Sequence, residues 1–162
     1  MGFASATFRE GTKLIKRIVD GVKFVRHTQV IVGITEESDV EREDGMTNAQ
    51  LLYLQENGVP SKNIPPRPVI QPALAQDETR KAMKQQMRQA MFDAIVKGDL
   101  KQAKNDYEKA GMIGRDACKN YITDGTHLTP NSPVTIARKG SSIPLIDTAS
   151  MMNSISYAIR KK

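Results

Sequence analysis

The stretch Ile143–Ile159, which reads IPLIDTASMMNSISYAI, constrains the fold more than any other part of the sequence. Its first residues, Pro144–Ile146, are apolar and predict a buried turn, and Asp147 and Thr148 can each cap the start of a helix. Ser154–Ile159 then alternates polar and apolar side chains with a period of two, which is typical of a half-buried strand. We expect a strand so late in the chain to join a sheet that begins far upstream. The stretch therefore predicts the closing element of a sheet and not a reaction centre.

The upstream partner of this strand is predicted at Val30–Ile34, a compact β-branched run that favours a central strand. Val22–Phe24 is a weaker candidate for a hairpin partner of the same run. A third strand could lie at residues 67–71. The sheet is therefore predicted to form from strands near 28–35 and 153–160, with 67–71 as an optional addition.

Three short helices follow from local patterns. Residues 8–20 place apolar side chains at helical spacing opposite a basic face, and Asp20–Gly21 is expected to end this helix. Thr47 is predicted to cap a second helix that Asn57–Gly58 closes. Pro133–Lys139 begins with proline at an early helical position, which favours one further helical turn.

Two long helices are predicted in the middle of the chain. The first spans residues 76–97 with a stripe of alanine and methionine, and the second spans 100–123. Gly98–Asp99 separates them as a stop signal and a new N-cap. Small residues, including Gly111 and Gly114, form a stripe on the second helix. This stripe predicts close packing onto the first long helix or onto the sheet.

Residues 59–73 form a proline-rich segment, with five prolines between Pro60 and Pro72. Such a density excludes a central strand and is expected to exclude a helix, but it permits an extended arm or an edge strand around Val69–Ile70. Because proline orders extended backbone in advance, such an arm could dock on another surface at low entropic cost.

The totals predict one soluble domain over residues 1–162. The chain has 39% hydrophobic and 26% charged residues and no tryptophan, so its core must rely on aliphatic residues and methionine. Cys118 is the single cysteine, which excludes an intrachain disulfide and favours a reducing cytoplasm as the place of synthesis. We expect an α+β fold in which a small, mainly antiparallel sheet packs against two long helices, with an extended proline-rich arm.

The sequence offers no catalytic, cofactor or metal site. His27 and His127 lack a second ligand at metal-binding spacing, and Cys118 lies on the small-residue stripe, which favours packing over a nucleophilic role. For Asp147 a helix cap is the stronger interpretation than a carboxylate site. Phosphate-binding, dinucleotide-binding, metalloprotease and nucleophile-elbow motifs are absent from the sequence. We therefore predict that the protein is not an enzyme.

Charge is distributed unevenly along the chain. Residues 35–45 contain one arginine and six acids, a net charge of −5, so the rest of the chain carries +11 of the total of +6. The acids are Glu36, Glu37, Asp39, Glu41, Glu43 and Asp44. Residues 36–45 are predicted to form an exposed loop. Such asymmetry favours contact between copies of the chain or with an anionic partner.

The basic residues permit two interpretations. Arg80, Lys84 and Arg88 lie along the first long helix, and Arg160–Lys162 end the chain. A solvated helix face is the simpler interpretation. Salt-dependent contact with phosphate or with an acidic neighbour is the alternative, without sequence-specific recognition because no DNA-binding motif is present.

Three motifs in a fixed order resemble a known protein family. They are IPPRPVIQPAL at residues 64–74, an L-T-P-N-x-P-x-T-I-x-x-K loop at 128–139 and PLIDTASMMNSISYAI at 144–159. In this order, with a long helical region between the first two, they resemble the head–tail joining and tail-completion proteins of tailed bacteriophages, including minor tail proteins of the lambda Z kind. The resemblance covers about residues 28–160. Val69 replaces a usual aromatic and Ala149 a usual glycine, which suggests a backbone without positive φ at Ala149 or an altered turn.

The resemblance implies a structural virion protein of the phage neck or head-proximal tail. Such a protein is expected to form a ring of six copies between the capsid connector and the tail tube, to be assembled in the host cytoplasm and to let DNA pass without specific recognition. No membrane partner is expected. The residues expected to contact other subunits or partners are the six acids above and Arg67, Val69, Arg80, Lys84, Arg88, Arg138, Lys139, Arg160 and Lys161.

Two rival functions remain open at the level of sequence. The main rival is a small cytoplasmic nucleic-acid-binding module that uses the basic helix face. The other is an antitoxin-like or chaperone-like interaction protein that uses the methionine-rich helix.

Overall fold

The computed structural model describes residues 3–140, 142–146 and 149–162. The fold is α+β, with a two-stranded sheet packed against a long helix and further helices packed on these elements. In chain order the elements are α1 (Phe3–His27), β1 (Thr28–Ile34), α2 (Asn48–Asn57), a 3₁₀ turn (Pro60–Lys62), α3 (Ile70–Ala75), α4 (Asp77–Phe92), a π-helical turn (Asp93–Lys97), α5 (Leu100–Asp124), α6 (Pro133–Lys139), α7 (Ser150–Ser154) and β2 (Ile155–Lys161).

The sheet joins a strand from the first quarter of the chain to one near the end of the described residues. β1 and β2 pair antiparallel in a register that runs from Thr28 opposite Lys161 to Ile34 opposite Ile155. This pairing confirms the strands predicted near 28–35 and 153–160. Within the described residues the sheet has two strands, so the optional strand at 67–71 is wrong. The predicted hairpin partner at Val22–Phe24 is also wrong, because these residues belong to α1.

Helix α5 approaches the sheet closely through its two central glycines. A Cβ atom added at Gly111 would lie 2.6 Å from Cγ of Tyr157, and one added at Gly114 would lie 2.8 Å from Cγ2 of Val32. Both distances are shorter than ordinary carbon–carbon contact, so only glycine allows this separation. The small residues were predicted to pack closely onto the first long helix or onto the sheet, and the close approach to the sheet is confirmed.

The core consists of two apolar clusters. One joins the proline-rich segment, α5 and β2, and its buried members are Val69, Ala73, Cys118, Ile122, Leu128 and Ile155. The other lies where α4, the π-helical turn and α5 meet, and its buried members are Ala90, Ala94, Ala103 and Tyr107. Strand β1 contributes to both clusters, because Val30 packs on the second and Ile34 on the first.

Helix α1 is longer than predicted. It continues through Gly21 to His27, where β1 begins directly. Gly21 lies where α1 crosses the π-helical turn, and the helix continues through it. An added Cβ would lie 2.7 Å from the carbonyl carbon of Ala94 and 2.8 Å from Cα of Ile95. The glycine therefore serves close packing rather than termination.

The predicted helix boundaries in the middle of the chain are confirmed. The Thr47 hydroxyl accepts from the Gln50 backbone N–H, and the Gln50 side chain accepts from the Thr47 N–H, which completes a capping box at α2. Gly98 is left-handed at φ 72° and closes the π-helical turn. The Asp99 carboxylate accepts from the Gln102 N–H at 2.9 Å and caps α5.

The C-terminal stretch contains one short helix before its strand. Asp147 and Thr148, the predicted caps, lie outside the described residues. Ala149 has a φ of 59°, so the expectation that this position needs no positive φ is wrong. Buried Asn48 then fixes α7, because its Nδ2 donates to the hydroxyls of Ser150 and Ser154, each at 2.9 Å.

Candidate functional site

The side chain of Arg67 lies at the centre of a hydrogen-bonded junction between separate parts of the chain. Only 9% of the residue is exposed. Its Nε donates to the carbonyl of Thr129 at 2.8 Å, and Nη2 donates to the carbonyl of Pro130 at 3.1 Å and reaches Oδ1 of Asn131 at 3.5 Å. Nη1 donates to Oε1 of Gln55 at 3.2 Å. Burial lowers the pKa of Arg67.

The junction extends to the start of the C-terminal stretch. Nδ2 of Asn131 donates to the carbonyls of Ser142 and Ile143 at 3.4 and 3.2 Å, and the Thr129 hydroxyl donates to the carbonyl of Pro66 at 3.3 Å. Arg67, Thr129–Asn131 and Ile143 therefore form one contiguous unit, which we call the motif junction. An open cavity of about 540 Å³ adjoins it, lined in part by Arg42 and Arg67. Because the bonded acceptors of Arg67 are neutral groups of its own chain, the guanidinium fixes the fold here.

The proline-rich segment is folded onto the domain and is not an extended arm. Residues Ile70–Ala75 form α3, with Pro72 in the first turn, where its missing N–H costs nothing. The Glu56 carboxylate accepts from the backbone N–H groups of Val69 and Ile70 at 2.9 and 2.7 Å, and so supplies the start of this helix with acceptors. The expectation of an extended arm without helix is therefore wrong.

Two of the predicted contact residues are turned into the subunit. Val69 is completely buried in the first apolar cluster, and Arg67 is occupied by the motif junction. The expectation that these side chains contact a partner is corrected accordingly. The sequence signal was ambiguous, because a proline-flanked residue can equally begin an arm or a buried helix.

The acidic loop is at the surface, as predicted. Glu36, Glu37, Glu41, Glu43 and Asp44 are exposed. The carboxylate of Asp44 accepts from the backbone N–H of Met46 at 3.1 Å.

Asp39 is the structural member of the acidic group. It is half-buried, and its carboxylate accepts from the Ala49 N–H at 2.9 Å in the first turn of α2. Partial burial opposes its ionisation, but hydrogen bonds from Ala49 and neighbouring groups outweigh this and lower the pKa of Asp39. Asp39 therefore anchors the loop, while the exposed acids form its outer surface.

The predicted basic contact residues lie in three separate places. On α4, Arg80 pairs with Asp77 at 2.7 Å, and exposed Lys84 and Arg88 line one side of the helix. Arg138 and Lys139 lie at the end of α6, and their side chains are outside the described part of the structure. Arg160 and Lys161 are exposed but belong to β2, opposite Gln29 and Thr28. They are therefore part of the sheet and not a free tail.

A buried carboxylate pair escaped the sequence reasoning. Asp93 and Asp106 are each 1% exposed and face one another between the π-helical turn and α5. Asp93 pairs with Lys97 at 2.6 Å and Asp106 with Lys109 at 3.0 Å. Hydrogen bonding from Lys97, then from Gln89, lowers the pKa of Asp93. A lysine at i+3 or i+4 from each acid was the available signal, but this spacing is common on exposed helices.

The remaining candidate groups have structural surroundings. Cys118 is completely buried, and burial together with the charge of Glu56 raises the pKa of its thiol to about 12, so the reactive thiolate is disfavoured. The His127 ring stacks on Tyr121 and lies 3.4 Å from Asp124. Among the described residues, histidine, cysteine and carboxylate side chains do not cluster in threes as a metal site requires.

No described helix is both long and apolar enough to span a bilayer. Comparison of the chain with protein-family models, with curated proteins and with solved structures gave no match.

Proposed function

We propose that the protein is a structural virion component of a tailed bacteriophage, acting at the neck or the head-proximal end of the tail. In this role it assembles into a ring, expected to have six copies, that completes the tail and joins it to the head. DNA passes through the lumen without specific recognition. The protein would be assembled in the host cytoplasm and remain in the virion.

The observation that carries the proposal is the motif junction. The three motifs behind the family resemblance lie far apart in the sequence, yet Arg67 of the first bonds the second, and Asn131 of the second bonds Ile143, the residue directly before the third. Chance similarities of sequence have no reason to meet in one hydrogen-bonded unit. Their convergence supports the view that the motifs record one inherited structural element.

The backbone at Ala149 adds independent support. The family pattern has glycine at this position, and the chain adopts the left-handed conformation that favours glycine. The conformation at Ala149 is therefore the one that the glycine of the family pattern would favour, and this agreement supports the resemblance.

The direct test is deletion of the gene from the phage or prophage genome that carries it. We expect separate heads and tails, seen by electron microscopy, in place of joined particles, and restoration by the wild-type gene. Gly11→Ala should complement as a matched control, because the position is open and a Cβ there meets no atom within 4 Å. Normal yields of joined, infectious particles after deletion would refute the proposal.

One surface feature keeps the nucleic-acid alternative testable. Lys81, Lys84 and Arg88 are exposed together on α4, where they could approach phosphate groups. Filter binding of duplex DNA should fall steeply with salt if this face binds DNA, and Lys84→Gln with Arg88→Gln should abolish retention. Absence of retention at low salt would remove this alternative.

A further inference from the structure

Helix α1 presents an apolar stripe to solvent. Five aliphatic side chains on it are between 40% and 64% exposed, namely Leu14, Ile15, Ile18, Val19 and Val22. They recur at the spacing of one helical face. Every residue of α1 from 9 to 20 is exposed.

The stripe points away from the domain that holds the helix. On the attached side, Arg17 contacts the turn before α5 and Gly21 contacts the π-helical turn. Phe24 contacts α5 itself. With 3.6 residues per turn these three share one side of the helix, and Ile15 and Val22 lie on the opposite side. The helix therefore attaches by one side and leaves its apolar side without a partner among the described residues of its own subunit.

An unpaired apolar stripe needs a partner to be stable in water. A helix in a protein draws most of its stability from burying its apolar face, and continuous exposed apolar surface of this kind marks an interaction site. The charges beside the stripe indicate what that partner must carry. Between residues 9 and 26, α1 has six cations and two carboxylates, a net charge of +4.

The complementary negative charge is on the acidic loop, which lies near the other end of α5 in the same subunit. Phe24 of α1 contacts Tyr107, and Arg17, which is nearer the N-terminus of α1, lies against Gly98. The N-terminal part of α1 therefore lies at the starting end of α5. The acidic loop follows Ile34, which packs against the apolar cluster that contains Cys118 and Ile122 near the finishing end of α5. The two surfaces are therefore about 30 Å apart along this helix, and one subunit cannot bring them together.

The geometry points to a head-to-tail contact in which the apolar stripe of α1 packs against the acidic loop of a second copy of this chain. The loop carries a net −5 and also exposes Val40, which is 51% accessible, and Tyr53 on the adjoining α2 is 69% accessible. Cations flanking the stripe would meet the exposed glutamates around these apolar groups. Pairing of two α1 helices is disfavoured because it brings two +4 surfaces together.

Such a contact uses two different surfaces on each copy, so every copy can bind one neighbour through each surface. A series of copies joined in this way closes on itself only by forming a ring. It deepens the proposed function, because it rests on the self-assembly that the function requires and names the two faces that make it. In this contact the positively charged surface lies on α1 and not on α4.

Sedimentation equilibrium of the full chain, at rising protein concentration and at low and high salt, tests the contact. We expect self-association that weakens with salt, and a rise in the dissociation constant of more than ~10-fold in the stripe variant Ile15→Asp with Val19→Asp. The loop variant Glu41→Lys with Glu43→Lys should lose association to a similar degree. Val134→Asp, which replaces a 79% exposed apolar residue on α6, is the matched control and should associate like the wild type.

Mixing the two variants gives the sharpest result. Each should be monomeric alone, but together they should form a one-to-one dimer, because the intact stripe of the loop variant can meet the intact loop of the stripe variant. Circular dichroism should show wild-type helix content in both, since the altered side chains are exposed. If the double stripe variant is unfolded, Ile15→Asp alone and the loop variant carry the test.

Several outcomes would overturn the inference. One is a wild-type chain that stays monomeric at low salt, and another is association that the stripe variant does not weaken. A third is flotation of the wild type, but not the stripe variant, with 3:1 phosphatidylcholine–phosphatidylserine vesicles, which would assign the stripe to a membrane surface. Joined phage particles containing the stripe variant would refute the inference alone, whereas association through both faces without any place in particles would refute only the proposed function.

Discussion

Replacing Gly21 by alanine should loosen the packing of α1 against the π-helical turn. The new Cβ would lie 2.7 Å from the carbonyl carbon of Ala94 and 2.8 Å from Cα of Ile95. Ordinary carbon–carbon contact begins at about 3.5 Å, so the two backbones must separate by about 0.8 Å. Neither atom belongs to a side chain that could rotate away.

The magnitude follows from two opposing effects. Alanine favours a helix by about 1 kcal/mol over glycine, whereas forcing extra volume into a packed contact costs roughly 1–3 kcal/mol. The separation also loosens the aromatic contact between Phe24 and Tyr107, whose ring centroids lie 5.8 Å apart. We expect a net loss of about 1–2 kcal/mol in the free energy of unfolding, which corresponds to roughly 2–8 °C in Tm for a chain of this size.

The assay compares two alanine substitutions in one helix. Urea and thermal unfolding, followed by circular dichroism, should show Gly21→Ala destabilised. Gly11→Ala should be at least as stable as the wild type, because a Cβ at Gly11 meets no atom within 4 Å. The helix-propensity gain is the same at both positions, so their difference isolates the contact with the π-helical turn. Equal stability of the two variants would refute the reasoning.

Further predictions concern the junction, the buried acid, the thiol and a cap. Arg67→Met should lower the free energy of unfolding by roughly 2–4 kcal/mol in urea titrations, because at least three hydrogen bonds are lost. Since Lys97 lowers the pKa of Asp93, ionised Asp93 stabilises the fold above about pH 4, and this contribution is lost as the pH falls through the folded-state pKa. Asp93→Asn should therefore be less stable than the wild type at pH 7, with a difference that shrinks below pH ~4 in unfolding measurements. Cys118 should react with iodoacetamide at pH 8 only as the protein unfolds, as mass spectrometry of native and urea-treated samples would show. Thr47→Ala should cost about 1 kcal/mol in the same urea titrations, because α2 loses its capping box.

Local patterns determined most of the fold that could be predicted. The β-branched run at Val30–Ile34 and the alternation at Ser154–Ile159 identified the two strands, and Gly98–Asp99 located the break between the long helices. These patterns involve only a few neighbouring residues, so they can be recognised without knowledge of the tertiary structure.

The errors came from residues whose role depends on a distant neighbour. Gly21 was interpreted as a helix end because nothing local reveals that Ala94 crosses at this point. The proline-rich segment was interpreted as an arm because the Glu56 carboxylate, which supplies acceptors to α3, comes from another helix.

The surface was predicted better than the interior. Exposure of the acidic loop follows from composition, whereas burial of Arg67 contradicts the usual position of arginine. Its burial depends on carbonyls of residues more than sixty positions away. Convergence of the three motifs could therefore be observed only in three dimensions.

The pairing of β1 with β2 also decides when this protein can fold. Strand β1 leaves the ribosome before α2 to α7, and its partner β2 follows all of them. Until β2 is made, neither edge of β1 has a strand partner, and a chain interrupted before β2 keeps both edges unpaired. Closing so large a loop also makes folding slow, because the entropic cost comes before the contacts that offset it. Synthesis of β2 therefore decides when the sheet forms, since a chain interrupted before Ile155 lacks the sheet and one that includes β2 gains it in a single step.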